Sequence, residues 1–224
     1  GVSRVGSEPA AQDVLGSHLT HQVVQGQTTM DISSQVLYTI IAPAGGQMGN
    51  TELLASVPGT GEELQRIHVN ISSSALWNLE YDEAGGVIVS VSVMPESSWL
   101  ALVNVETGSV DIVEQLATGA RFGVSAMDQL RRVYFFIEPD SGNLMSFRLG
   151  AGGGMLPAVS LAGADRTVLV MGFSAEEQAL YALMSDWPTK PESIVELAIL
   201  DTGTGVLRPL VVTSLVGSDI MFGS

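Results

Sequence analysis

The sequence predicts an all-β fold assembled from one repeated four-strand unit, and three observations carry that expectation. Short runs rich in Val, Ile, Leu, Tyr and Phe recur along the 224 residues, bounded by Gly, Pro, Asp and Ser clusters. Such runs and boundaries are strand-and-turn punctuation. Four successive segments, Thr28 to Val69, Ala75 to Leu116, Arg121 to Leu161 and Thr167 to Thr213, repeat the same order of events. Each segment also places a proline just after its most apolar run, at Pro43, Pro95, Pro139 and Pro188.

Within each segment a first strand comes at Thr29–Ile32, Leu76–Leu79, Phe122–Val124 and Leu169–Phe173, and runs into a polar, mostly acidic turn. The second strand is the apolar one: Val36–Ile41, Val87–Val93, Val133–Ile137 and Ala179–Met184. The proline that follows has no N–H for a ladder and presets a turn. A third strand (Glu52–Val57, Trp99–Val105, Leu144–Leu149, Ile194–Leu200) ends in a glycine-containing turn: Pro58–Gly61, Glu106–Gly108, Gly150–Gly154 and Asp201–Gly205. Glycine there supplies the positive φ that tight hairpins need. A more polar fourth strand closes the unit.

A period near 45–50 residues with four strands per unit is the signature of a β-propeller blade. A lone four-stranded sheet cannot cover both of its faces, so blades pack face to face around an axis. Second strands sandwiched on both faces become almost wholly apolar. The turns Asp201-Thr202-Gly203 and Glu106-Thr107-Gly108, each after an apolar strand, resemble the hairpins of YVTN-type and quinoprotein-type propeller repeats. The pairs that mark WD-like and kelch repeats are absent, so the resemblance is to the propeller superfamily. It implies four full four-stranded antiparallel blades. His18–Val24, read as an isolated fourth strand, and Ser218–Phe222, read as an isolated first strand, would combine into a partial fifth blade formed by the termini. Residues 1–17 read as an N-terminal extension and 18–224 as the propeller domain. A piece of a larger propeller and a β-sandwich are the alternatives.

Composition narrows the function classes. Apolar residues make up 46%, enough for a large core, and no apolar run approaches the length of a transmembrane segment. Nine Lys and Arg against 24 Asp and Glu give a net charge of −15. That charge repels nucleic acid and anionic lipid surfaces and favours a protein partner, a basic one fitting it best. Cysteine is absent, which removes disulfides and thiolate metal sites. The acidic, cysteine-free composition leads to the expectation of an extracytoplasmic setting, secreted or in an organelle lumen. Asn70-Ile71-Ser72 is then a possible glycosylation sequon at Asn70.

No residue pattern points to catalysis or to a cofactor. His18 and His21 stand at a spacing that separates them on a strand, and no Gly-x-Ser-x-Gly elbow occurs. Gly150–Gly154 joins two strands and lacks the Lys-Ser/Thr of a phosphate loop. Asp31, Glu80 and Asp219 lie on or beside first strands, where an axial divalent metal would need acids. They are the basis of an alternative reading as a propeller hydrolase or lactonase. The leading expectation is a non-catalytic binding or scaffold subunit of a larger assembly. Its partner-binding candidates lie at or beside the proline loops: Glu96, Trp99, Glu138, Asp140, Asp186 and Trp187. Tryptophan beside acids on a loop is the chemistry of an interface hot spot.

Overall fold

The computed structural model describes residues 21–43, 51–71, 75–94, 97–117, 124–161, 167–185 and 192–216. It is all-β, with four antiparallel sheets of four strands, each laid down in chain order. Sheet 1 holds β1 (His21–Asp31), β2 (Val36–Pro43), β3 (Glu52–Ser56) and β4 (Glu63–His68). Sheet 2 holds β5 (Ala75–Asp82), β6 (Val87–Met94), β7 (Ser97–Asn104) and β8 (Val110–Leu116). Sheet 3 is β9 (Ser125–Asp128), β10 (Val133–Ile137), β11 (Leu144–Arg148) and β12 (Gly154–Met155). Sheet 4 is β13 (Thr167–Ser174), β14 (Ala179–Ser185), β15 (Glu192–Leu200) and β16 (Leu207–Val216).

Two strands differ from the sequence expectation. His21–Val23 does not stand apart as a fourth strand. It is the beginning of β1 and pairs with Ile41–Pro43 across a register shift that takes up the Gly26 region between Val23 and Thr28. The other half of the expected fifth blade, Ser218–Phe222, lies outside the described residues. The first strand described in the third unit is Ser125–Asp128, one residue after Val124; Phe122 and Gly123 of the expected strand lie outside the described residues. Ala126 and Met127 bury their side chains, and Asp128 is fully buried because it organises the turn that follows.

The fourth strand of sheet 3 is short for a local reason. Phe147 and Arg148 pair with Met155 and Gly154, the Leu156 N–H still reaches the Ser146 carbonyl at 2.9 Å, then Pro157 removes a donor, and a bridge between Leu144 and Val159 follows.

The sheets stack in chain order with an apolar core between each neighbouring pair. The first core joins Tyr38, Ile40 and Leu53 of sheet 1 to Leu76, Ile88 and Val103 of sheet 2. The next joins Val89, Val91 and Leu100 to Tyr134, Phe136 and Phe147. The last joins Val133, Phe135 and Leu144 to Leu180, Ala182 and Met184. Innermost strands follow the same sequence, β1 against β5, β5 against β9 and β9 against β13. Strand alternation makes this possible: Ile88 faces sheet 1 while Val89 and Val91 face sheet 3.

Glycine seals the joints at two equivalent positions. Gly108 and Gly205 end the turns between third and fourth strands with φ of 69° and 73°. A Cβ at either would come within 2.0 Å of a carbonyl oxygen of the preceding unit, that of His68 or Ser160. The Gly108 carbonyl in turn accepts the Asn70 N–H at 3.0 Å.

Candidate functional site

The turns between first and second strands are built alike. Asp31, Asp82, Asp128 and Ser174 end the first strands, and the fifth position of each turn has positive φ: Gln35, Gly86, Arg132 and Gln178. Asp128 Oδ1 accepts the N–H groups of Leu130 and Arg131, both at 3.0 Å, and Ser174 Oγ accepts that of Glu177 at 3.2 Å. Asp31 takes the Ser34 N–H at 3.0 Å and the Ser33 hydroxyl at 2.7 Å. Burial alone would raise its pKa, but the hydrogen bonds from Ser34 and Ser33 outweigh that and hold it at about 2.

These turns also tie neighbouring sheets together. Arg132 of sheet 3 forks onto the fully buried Asp82 carboxylate of sheet 2, Nη2 to Oδ2 at 2.5 Å and Nε to Oδ1 at 3.2 Å. The pairing raises the guanidinium pKa. Gln129 reaches the same neighbour, accepting the Glu83 N–H at 3.0 Å and donating to the Tyr81 carbonyl. Between sheets 1 and 2, Thr29 Oγ1 accepts the Tyr81 N–H at 2.9 Å.

Two of the acids considered for an axial metal, Asp31 and Glu80, make other contacts. Asp31 organises a turn, and Glu80 pairs across from Val89, on the face that packs against sheet 3. There its carboxyl accepts the Ser125 hydroxyl at 2.8 Å, and burial pushes its pKa up to about 7. Tyr134 beside it donates to the Asn78 carbonyl at 2.8 Å, with its phenol pKa raised well above the usual value by burial. Asp219 and His18 lie outside the described residues. Among the described residues no group of three His, Cys, Asp or Glu could hold a metal ion.

Of the partner-binding candidates, Glu96, Asp186 and Trp187 lie outside the described residues. Glu138 and Asp140 share one turn, closed by the Gly142 N–H on the Glu138 carbonyl and by the Glu138 N–H on Asn143, each at 3.0 Å. Asp140 is exposed. Trp99 sits within β7, as its place in the expected third strand implies, half-buried, its indole N–H donating to Ser97 Oγ at 2.9 Å. Asn70 is exposed in the link between sheets 1 and 2.

Neither a protein-family model nor a curated protein sequence matches the chain. Solved structures do. A chain of the nidogen/laminin complex superposes with a TM-score of 0.53 at 16% identity, over 74% of this chain and 59% of that one. TolB from Acinetobacter baumannii matches with 0.52 at 12% identity, over 88% and 45%. The chain has a β-propeller fold. Its four sheets are blades. Hydrazine synthase of Kuenenia stuttgartiensis is a further match, with 0.53 at 11% identity over 90% and 52%. The chain thus spans about half the length of the chains it matches.

The last blade differs from the inner ones in a way the sequence does not announce. Every side chain of β10 is buried, since blade 3 is covered on both faces. In β14 burial alternates: Leu180, Ala182 and Met184 are 1%, 0% and 3% exposed, while Tyr181 and Leu183 between them are only half-buried. Cross-strand register puts Val170, Leu197 and Ile199 on the same outer face. Val170 is 52% exposed. Among the described residues no apolar core joins this face to another sheet.

Proposed function

We propose that the chain is a non-catalytic propeller module that works by docking to protein within a larger assembly. The observation that carries this reading is the outer face of blade 4. Its second strand, Ala179-Leu180-Tyr181-Ala182-Leu183-Met184, has the composition of a strand covered on both faces, yet among the described residues only one face is covered. Tyr181, Leu183, Leu197 and Ile199 form the kind of surface that a neighbouring blade buries in the three interfaces of this chain. The occupant that fits is another four-stranded sheet, packed as blade 4 packs on blade 3.

The acidic loop end belongs to the same proposal as a second contact for a basic partner. Glu138 and Asp140 project from one turn there, and Glu96, Trp99, Asp186 and Trp187 belong to the equivalent regions of the sequence. An extracytoplasmic setting is part of the reading and rests on composition.

The test is the native mass of the assembly isolated from the source organism, with its subunits identified, for the wild type and for Leu183→Glu. The wild type should travel in a larger complex, and the substituted chain should leave it while keeping its far-UV spectrum and melting temperature. A wild-type chain that migrates alone at 23.5 kDa overturns the proposal. Retention of Leu183→Glu in the complex moves the contact to the loop end, where Asp140→Lys is the matching substitution.

A further inference from the structure

Each blade meets the next through the same pair of residues. The cross-strand pairs Thr29–Tyr38, Glu80–Val89, Ala126–Phe135 and Gly172–Tyr181 stand at one equivalent place, their first members two residues before the turn caps Asp31, Asp82, Asp128 and Ser174. In the first three blades this pair contacts the first strand of the following blade, at or near the residue just before its own cap. Tyr38 lies against Tyr81, ring centroids 5.5 Å apart and planes inclined by 30°, and Thr29 Oγ1 accepts the Tyr81 N–H at 2.9 Å. Val89 shares an apolar core with Met127, and Glu80 accepts the Ser125 hydroxyl from the same strand. Phe135 stacks on Phe173 with centroids 6.4 Å apart and planes inclined by 15°, and Ala126 is buried in the same core.

Blade 4 presents the pair without the neighbour. Tyr181 lies on the uncovered face, half-buried, and has no ring partner among the described residues. Gly172 beside it is exposed and has no positive φ, and a Cβ built on it would meet nothing within 4 Å. Neither the backbone conformation nor packing among the described residues calls for glycine there, and glycine inside a strand weakens it. Its effect is a hollow beside the Tyr181 ring, bordered along β13 by Val170, which is 52% exposed. A strand glycine of this kind lets a side chain from outside approach the backbone.

We propose that the sheet docking on blade 4 seats a phenylalanine or tyrosine in this hollow against Tyr181, carried by its innermost strand one residue before the turn cap. The inference rests on the docking reading above and names the group that is recognised. The repeat supplies the reason. Where the second-strand residue is aromatic, as at Tyr38 and Phe135, the residue it meets is aromatic, and where it is Val89 that residue is Met127. Tyr181 is the aromatic case. A tilted or offset pair of rings adds to what burial of their area contributes. The missing Cβ at Gly172 leaves the incoming ring space over β13 that Thr29, Glu80 and Ala126 fill with their own side chains in the other blades.

The experiment uses the assembly isolated from the source organism, carrying the wild-type chain, Tyr181→Phe, Tyr181→Ala, Gly172→Leu or Leu183→Glu, and reads native mass on serial dilution. Tyr181→Phe should stay bound as the wild type does, and Tyr181→Ala should dissociate at about tenfold higher concentration. Gly172→Leu should leave as Leu183→Glu does, while the isolated Gly172→Leu chain melts no lower than the wild type. Because the chain has no cysteine, Gly172→Cys gives a second reading. Iodoacetamide should alkylate its thiol at least about tenfold more slowly in the assembly than in the isolated chain. Release of Leu183→Glu with full retention of Tyr181→Ala and Gly172→Leu would overturn this inference and leave the docking reading standing, whereas a wild-type chain that migrates alone removes both. Equal alkylation rates in the two states overturn it as well. So does a thiol already protected in the isolated chain, which would give the hollow to residues 218–222 of this chain.

Discussion

Glu80→Gln should make the protein more stable above neutral pH and leave it unchanged in mild acid. The Glu80 carboxyl lies between blades 2 and 3, accepts the Ser125 hydroxyl at 2.8 Å, and is raised by burial from the usual 4.5 to about 7. A folded-state pKa above the unfolded one means that the folded chain holds this proton more tightly. Its contribution is therefore complete below pH 4.5 and is lost as pH rises through about 7. Each pKa unit corresponds to about 1.4 kcal/mol, which makes the full loss roughly 3 kcal/mol. Glu80 is half-buried, and residual hydration brings the expected effect to about 2 kcal/mol. Glutamine keeps an acceptor for Ser125 and has no charge to bury. Urea unfolding of both proteins, at pH values on either side of the 4.5-to-7 window, measures the difference. At a slope of about 2–3 kcal/mol per molar, the midpoints should separate by roughly 1 M above neutrality and converge in acid. Taking the difference cancels the growing repulsion among the other carboxylates of this acidic chain. Parallel pH profiles for the two proteins would refute the burial reasoning.

Other substitutions test the joints between blades. Arg132→Met leaves the fully buried Asp82 carboxylate without its partner and should cost about 3–5 kcal/mol in chemical denaturation, with Asp82→Asn costing less because it removes the buried charge and leaves a partly exposed Arg132. Gly108→Ala combines a positive φ with a Cβ 2.0 Å from the His68 carbonyl, so a loss of at least about 2 kcal/mol is expected in thermal melting. Tyr134→Phe removes only the hydroxyl bond to the Asn78 carbonyl and should cost about 1 kcal/mol, measurable by the same melt. A gain in stability for Gly108→Ala would mean that the turn packs less closely than described.

The fold was legible where side-chain chemistry is local. Second strands such as Val133–Ile137 and Val87–Met94 stand out because covered strands are continuously apolar, and the glycine turns fall at their expected places. The misreadings came where local composition runs against the pairing. Residues 21–27, His-Gln-Val-Val-Gln-Gly-Gln, have neither alternation nor a turn signal, and their place in β1 follows only from pairing with β2. Asp128 looks like loop chemistry, yet it is the last residue of a strand and fully buried because it caps the turn behind it. The recurring acid or serine at residues 31, 82, 128 and 174, five positions before an apolar strand, was the available signal for these turns. The contacts that define the site were not available. Glu80 with Ser125, Asp82 with Arg132, and Phe135 with Phe173 join residues 38 to 50 apart through packing of one blade on the next, which no local pattern encodes.

The stacking of blades in chain order has a consequence for how the molecule opens. Among the described residues, blades 2 and 3 are each held by two apolar cores, whereas blades 1 and 4 are each held by one. With contacts limited to nearest neighbours, stability is distributed along a line, as in a repeat array, and peripheral units detach at lower cost than central ones. Amide exchange should accordingly be slowest in Val87–Met94 and Val133–Ile137 and grade outward. A partner seated on the outer face of blade 4 would convert that end of the line into an interior position. Binding would then register as slowed exchange throughout blade 4, at strand residues that the partner does not touch as well as at those it covers.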